Sequence, residues 1–170
     1  MSAVETVKTF MTALQSGDME LAASIASDEF VVSGLMPALL DKGEFLAIQS
    51  ELLAGIPDFS YNLEDVHREG EEVSALIQIT GTHTNDLSLP MLGLPVIPAT
   101  GLSIDLPQVH VVYQVEDGKV MGMEVESEPG GGLPGLLQQV GAELPLSPRE
   151  RTMADPAYPE EEPRPENIDI

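Results

Sequence analysis

Three glutamates recur at every second position late in this sequence. They are Glu124, Glu126 and Glu128, within residues 119–128 (KVMGMEVESE). Residues two apart in a β-strand point to the same face, so the three carboxylates would share one face at a spacing of roughly 7 Å. If that face is covered, repulsion and desolvation raise the pKa of at least one carboxyl group, which suits it to general acid or base catalysis. If the face is wet, the glutamates are a solvated stripe.

Two histidines could join these carboxylates. His110 and Gln108 share one face of the predicted strand that precedes the glutamates, and the turn at 116–118 (EDG) would pair the two strands as a hairpin. His83 stands where a polar strand end meets an apolar loop, at a predicted pocket mouth. Each histidine has a structural alternative, since a hydrogen-bonded histidine on a half-buried strand is common.

The apolar loop lies within residues 81–101 (GTHTNDLSLPMLGLPVIPATG) and contains three prolines. Loops normally run over the surface and carry polar side chains, so an apolar loop must cover something. The candidates are an apolar ligand, a partner subunit, or both. Its large apolar side chains are those of Leu87, Leu89, Met91, Leu92, Leu94, Val96 and Ile97.

The sequence contains no motif for cysteine, metal, phosphate-loop or serine-nucleophile chemistry. The chain has no cysteine, which removes cysteine-based zinc and redox sites, and its histidines show no known metal-ligand spacing. Residues 130–132 (GGG) lack the ending of a phosphate-binding loop, and no G-x-S-x-G motif of a serine nucleophile is present. No metal and no cofactor is therefore predicted.

The elements that would position these residues begin with three helices. Ser2 with Glu5, and Asp41 with Glu44, have the spacing of a capping box, and Asp18 can cap a helix between them. Gly17 and Gly55 lie where the first and third helices would end. A short strand at 29–33 would follow the second helix.

From residue 59 the apolar period changes to two, which predicts strands over 73–83, 102–115 and 119–128, and a last short helix from Pro134. Helices followed by long strands predict an α+β fold whose curved antiparallel sheet wraps three N-terminal helices and leaves a hollow on its concave side. We predict one domain over 1–146 and an acidic, proline-rich tail over 147–170.

The net charge of the chain narrows the classes of molecule that it can bind. The 29 acidic and 7 basic residues give a formal net charge of −22, which repels phosphate backbones and anionic lipids. No apolar run reaches the roughly 18 residues that a membrane span needs, and the N-terminus does not look like a signal peptide. The sequence therefore predicts a cytoplasmic protein with no nucleic-acid or membrane partner.

The order of the elements and four short segments resemble the SnoaL-like polyketide cyclases of the NTF2-like superfamily. The resemblance covers about residues 1–144. It implies a cone-shaped α+β barrel with a deep apolar pocket, often dimeric, without a cofactor, in which an acidic residue closes a polyketide ring by aldol chemistry. The segments are 81–83 (GTH), 97–101 (IPATG), 116–120 (EDGKV) and 136–141 (LLQQVG).

The resemblance also implies site residues. Glu128 stands where these cyclases have a catalytic aspartate, and Glu124 where they have a tryptophan. In the resulting hypothesis Glu128 moves a proton on an apolar carbonyl substrate, while His83, His110, Glu124 and Gln108 polarise or orient that substrate. Leu92, Ile97 and Phe45 would line its pocket. The alternatives are a non-catalytic protein that binds an apolar ligand, and a homodimer in which the loop and strand faces bury each other.

Overall fold

A computed structural model describes residues 2–142 of the chain, so the predicted tail over 147–170 lies outside the described residues. The first helix, α1 (Ala3–Ser16), begins as its capping box predicts. The Ser2 hydroxyl oxygen accepts the Glu5 backbone N–H at 3.1 Å, and the Glu5 carboxylate accepts the Ser2 N–H at 3.1 Å. The helix ends at Gly17, whose φ of 86° is costly for other residues.

The remaining helices follow the same capping logic until the last one. Asp18 caps α2 (Met19–Ile25), and Asp41 with Glu44 forms the capping box of α3 (Lys42–Gly55). The final helix, α4 (Gly132–Gln139), begins after Gly131 without a side-chain cap. Within residues 2–142, no helix combines the length and the hydrophobicity needed to cross a membrane.

The main sheet has six strands in the order β2-β1-β8-β7-β4-β3, and β5 and β6 form a separate two-stranded sheet. The sheet is mixed, because β1 runs parallel to β8, whereas the sequence predicts an antiparallel sheet. The strand that follows α2 meets the last strand only through the tertiary fold, so no hairpin fixes their direction. The strands are β1 (Ala26–Ser33), β2 (Leu40–Asp41), β3 (Glu64–Glu69), β4 (Glu72–Ile77), β5 (Thr80–Thr82), β6 (Ser103–Asp105), β7 (Val109–Glu116) and β8 (Lys119–Val125).

This curved, open sheet has one dry face and one wet face. Helix α1 lies against β3, β4, β7 and β8, and the side chains between helix and sheet form the core. A cluster of three aromatic rings fills part of the core, with centroid separations of 5.4 Å between Phe10 and Phe30 and 5.8 Å between Phe30 and Phe45. The predicted α+β cone with its three N-terminal helices is therefore confirmed.

The apolar loop packs over the end of α3. Leu87 and Leu89 are fully buried, and Leu87 exchanges two backbone hydrogen bonds with Ile97, at 2.9 and 2.8 Å. Leu87 also lies against Gly55, where an added Cβ would stand 2.9 Å from the leucine Cδ1. Asn85 caps the helix end by donating its side-chain N–H to the Ala54 carbonyl at 3.0 Å. One side of this loop is thus part of the protein's own core.

Candidate functional site at the open end of the cone

The three glutamates are not covered by other parts of the protein. Strand β8 ends at Val125, and the side chains of Glu124, Glu126 and Glu128 are all exposed. One Glu124 carboxylate oxygen accepts the Gln114 side-chain N–H at 3.1 Å, and Glu126 accepts the His110 backbone N–H at 3.0 Å. The face that carries Glu124 and Glu126 is therefore the solvated stripe that the sequence left as one alternative.

His110 lies on the same exposed face. It pairs with Leu76 across β4, and its side chain is exposed, as is that of Gln108 just before β7. The Ser74 hydroxyl, and after it His67, lower the pKa of the nearby Glu69 carboxyl by hydrogen bonding to it, and His110 adds a smaller contribution. The structure thus brings His110 to the glutamates as predicted, but in contact with water.

His83 is buried rather than placed at a pocket mouth. Its side chain has 0% exposure, and its Nδ1 lies 2.9 Å from the Thr100 hydroxyl oxygen. That oxygen also accepts the Leu102 backbone N–H at 3.2 Å. Within the described part of the chain, Nε2 has no hydrogen-bond partner.

The predicted pocket-lining residues are spread over the molecule. Phe45 belongs to the aromatic cluster of the core. Ile97 is buried and forms an isolated β-bridge with Leu87. Leu92 is partly buried in the 3-10 helix of the loop, Pro90–Leu92. The structure therefore does not bring these three side chains together around one cavity.

A small apolar cavity lies instead at the open end of the cone. Its volume is about 10 Å³, and all of its lining side chains are apolar. Helix α4 stands next to it, with Leu133, Leu136 and Leu137 turned into the core. The cavity is lined by Leu35, Ile77, Ile79, Leu106, Pro107, Val109, Val125 and Gly132.

Two sets of hydrogen bonds hold α4 in this position. The Leu133 backbone N–H donates to the Leu35 carbonyl at 2.8 Å. At the other end, the Gln139 side-chain amide accepts the Asp105 N–H at 2.8 Å and donates to the Asp105 carbonyl at 3.0 Å. The sequence predicted this helix but gave no sign that its first residue, Gly132, lines a cavity.

Glu128 is exposed in the turn before α4 and is not one of the lining residues of this cavity, although it lies near one of them. A Cβ built on Gly131 would stand 3.5 Å from the Glu128 Cβ and 3.5 Å from the Cγ of Pro107, which lines the cavity. The Gly131 backbone N–H also donates to the Glu128 carbonyl at 2.9 Å, which closes the turn between β8 and α4. Glu128 thus stands in an exposed turn near Pro107 of the cavity wall, and its catalytic role stays a prediction.

Two buried tyrosines, Tyr61 and Tyr113, are not among the site residues predicted from the sequence. Tyr61 donates its hydroxyl proton to the Gln49 side-chain oxygen, and the Gln49 amide donates to the Leu14 carbonyl at 3.3 Å. Tyr113 has 0% exposure, and no partner for its hydroxyl is found among residues 2–142. Burial raises the pKa of both phenols, so both are protonated at neutral pH. The signal available beforehand was the position of Tyr113 on the same strand face as Val109 and Val111.

Metal-ligating side chains are not grouped in the described residues. Over 2–142, no three or more histidines, aspartates or glutamates are arranged so that they could hold a metal ion. The described residues thus form a small apolar cavity whose wall includes the first residue of α4, with the exposed Glu128 near it.

The family model for the SnoaL-like domain matches residues 7–123 of the chain. This chain belongs to the SnoaL-like domain family. The match takes in α1 to α3 and the strands up to Met123 of β8, and so most of the elements that enclose the SnoaL-like cone. No curated protein matches the chain in sequence.

Solved structures share the SnoaL-like fold at low sequence identity. IdmH of Streptomyces antibioticus, a proposed polyketide cyclase, is 21% identical with a TM-score of 0.59, over 81% of this chain and 97% of that one. An M. tuberculosis LEH-like epoxide hydrolase is 16% identical with a TM-score of 0.55, over 81% and 91%. A ketosteroid isomerase-like fold protein of Catenulispora acidiphila DSM 44928, in complex with trimethylamine, is 10% identical with a TM-score of 0.58, over 85% and 98%. These likenesses confirm the NTF2-like cone, a fold shared with small-molecule enzymes.

Proposed function

We propose that this protein binds an apolar carbonyl compound at the open end of the cone and that Glu128 is the general acid or base that acts on it. The observation that carries the proposal is the position of Glu128 in the turn near Pro107, one of the residues that line a cavity with only apolar side chains. The SnoaL-like family and its fold support the substrate class.

Helix α4 controls the room available to a ligand. A cavity of about 10 Å³ is at the limit for a single water molecule and holds no organic molecule. We infer that a ligand enters only if a wall of the cavity moves. Helix α4 is the candidate wall, because its first residue, Gly132, lines the cavity.

The chemistry follows from a carboxylate beside an apolar ligand. Glu128 removes the proton on the carbon next to a carbonyl group, so that this C–H bond breaks and its electron pair moves toward the carbonyl oxygen as an enolate. The resulting glutamic acid then returns the proton at the same or another atom. Aldol cyclisation and isomerisation both begin in this way. Hydration would instead need the carboxylate to take a proton from an attacking water molecule.

A non-catalytic binding function is the second candidate. It is favoured by the burial pattern, because the polar side chains buried among residues 2–142 are those of Thr6, Ser27, Gln49, Ser74 and His83, with no aspartate or glutamate. In this alternative the cavity holds an apolar ligand, and Glu128 is an exposed surface residue without a catalytic role.

Exchange of carbonyl-adjacent protons separates the two candidates. The probe is 2-acetonaphthone in D₂O, with deuterium uptake at its methyl group followed by NMR and binding followed by fluorescence. We expect the wild-type protein to accelerate uptake and Glu128→Gln to lower that rate about 100-fold, the low end of general acid–base catalysis, with binding unchanged. Glu116→Gln, at an exposed position where β7 ends, is the matched control.

The outcomes differ for each candidate. Binding without acceleration in either protein identifies the non-catalytic function. Equal acceleration by the wild type and Glu128→Gln removes Glu128 from the mechanism. A wild-type protein that does not bind the probe contradicts both candidates.

The homodimer and the cytoplasmic location remain predictions. The outer side of the apolar loop offers a surface for a second copy, because Met91 and Val96 are 42% and 54% exposed and Leu102 nearby in sequence is 48% exposed.

A further inference from the structure

We propose that helix α4 opens as a unit to admit a ligand to the cavity, and that the Gln139 side chain is the latch that keeps the helix closed. This inference rests on the proposed function, because opening serves a purpose only if a ligand enters the cone there. It specifies how that entry is controlled. It also gives a role to Gln139, which lies in the segment 136–141 (LLQQVG).

Helix α4 joins two separate parts of the cavity wall. At its first turn, the Leu133 backbone N–H donates to the carbonyl of Leu35, which lines the cavity. At its last turn, the Gln139 side chain binds the backbone of Asp105, which directly precedes the lining residues 106–107. A movement that separates α4 from Asp105 therefore breaks this connection across the cavity.

The wall to which Gln139 binds is held independently of α4. The Leu106 backbone N–H donates to the Ile79 carbonyl at 3.0 Å, and the Gln78 side-chain N–H donates to the Asp105 carboxylate at 2.9 Å. Leu106 and Ile79 both line the cavity. This part of the wall therefore keeps its own hydrogen bonds when α4 leaves it, and the helix is the part that moves.

The Gln139 amide completes the open edge of β6. Leu106 donates its backbone N–H to Ile79, on the side of β5. Neighbouring residues of a strand direct their backbone groups to opposite edges, so the N–H and the carbonyl of Asp105 face away from β5. The Gln139 amide accepts this N–H at 2.8 Å and donates to this carbonyl at 3.0 Å. Only the side-chain amides of asparagine and glutamine resemble a peptide group in offering both an N–H and a C=O, so the residue type at 139 is decisive.

Helix α4 depends on its contacts with the rest of the cone. It has 8 residues and begins after Gly131 without a side-chain cap, and helices this short are not stable in isolation. Leu133, Leu136 and Leu137 are at most 1% exposed, so their burial stabilises the docked helix, but apolar contacts are non-directional. The two hydrogen bonds of Gln139 supply a directional contact at the last turn. When they break, α4 leaves the cone by local unfolding.

Amide hydrogen exchange measures the opening of α4. Gln139→Ala removes both hydrogen bonds to Asp105 and should raise the exchange rates of the α4 amides about 10-fold. Gln139→Glu keeps the acceptor but loses the donor, and should also raise them. The amides of β4 and β7 should exchange at unchanged rates, which also shows that the rest of the fold is intact. Gln138→Ala is the matched control, because Gln138 is the neighbouring glutamine of the same helix and its side chain is exposed.

The association rate of a neutral apolar fluorophore tests whether this opening admits a ligand. The probe is N-phenyl-1-naphthylamine, whose fluorescence rises in apolar surroundings, mixed with the protein by stopped flow. If binding requires the open helix, the apparent association rate is proportional to the open fraction. Gln139→Ala should therefore raise the association rate about 10-fold, by the same factor as α4 exchange, and Gln138→Ala should leave it unchanged.

The outcomes separate the latch from the proposed function. Equal α4 exchange in Gln139→Ala and Gln138→Ala overturns the latch. Exchange that rises equally in α4, β4 and β7 overturns the opening of α4 as a unit, because the whole fold then opens. Faster α4 exchange with an unchanged association rate overturns entry through α4, while the binding function stands. If the wild type and Gln139→Ala bind neither this fluorophore nor 2-acetonaphthone, the proposed function fails, and the exchange rates alone decide whether Gln139 is the latch.

Discussion

The inner and outer faces of β7 and β8 contain alternate residues of the same strands and differ in every property relevant to chemistry. The inner face carries Val111, Tyr113 and Met123, none more than 1% exposed. The outer face carries His110 and Glu124, both in water. A polar group costs free energy on the first face and nearly nothing on the second. Ionisable side chains therefore cluster on the solvated face, where the desolvation cost is small. An isolated polar group on the dry face needs a hydrogen-bond partner.

The largest expected effect comes from placing a charge on the inner face. Val111→Asp should lower the free energy of unfolding by at least about 4 kcal/mol, because the carboxylate would be buried without a partner. Val112→Asp, one residue along on the outer face, should cost about 1 kcal/mol, mainly through repulsion by Glu124 opposite it. Urea unfolding of the two variants measures the difference, and similar losses would mean that the two faces are equally wet.

A smaller effect separates the two buried phenols. Tyr61→Phe leaves the Gln49 side-chain oxygen buried without its donor and should cost about 1–3 kcal/mol. Tyr113→Phe removes a hydroxyl that has no partner within residues 2–142, so stability should stay the same or rise by up to about 1 kcal/mol. Thermal and urea unfolding without ligand give both values. A loss on Tyr113→Phe as large as that on Tyr61→Phe would show that Tyr113 already has a partner in the free protein.

The smallest effect concerns an exposed carboxylate and depends on pH. The Thr82 backbone N–H and then the Thr82 hydroxyl hold the pKa of Asp58 below its ordinary value of 3.8, with hydrogen bonds of 2.7 and 2.9 Å. A lowered pKa in the folded state contributes stability that is complete above the unfolded value and is lost as pH falls through the folded value.

Asp58→Asn should therefore have a lower urea midpoint than the wild type at pH 7, and the difference should narrow as the pH falls below 3.8. Asp117→Asn, in the exposed turn between β7 and β8, is the control and should show no such narrowing. A difference that is constant with pH would mean that the Asp58 carboxylate has no special role in the folded state.

Local features of the fold were predictable to within a few residues. The capping boxes at Ser2 and Asp41 placed α1 and α3, because a cap is satisfied by atoms three residues away. The longer strands were less predictable. The strand predicted over 102–115 is divided because Pro107 has no N–H to donate to a sheet, and β6 pairs with β5 instead of the main sheet.

The candidate site was predictable only in part. Glu128 is predicted through the resemblance of its surroundings, and the structure shows it exposed in the turn before α4, so its catalytic role stays a prediction. His83 was chosen for its position beside the apolar loop, but the loop folds back over α3 and the imidazole is buried. Tyr113 was passed over because a tyrosine in an apolar strand pattern is ordinary, and nothing in the pattern shows whether its hydroxyl finds a partner.

By itself, the sequence determined the helix caps, the alternation of the strands, the acidic charge and the family. These depend on neighbours along the chain or on composition. Only the tertiary structure decided that the glutamate stripe faces water, that α4 adds Gly132 to the cavity wall and that the Tyr113 hydroxyl has no partner among residues 2–142. Each of these depends on atoms brought together from distant segments, and desolvation, which governs the chemistry of carboxylates and phenols, is a property of that three-dimensional surrounding.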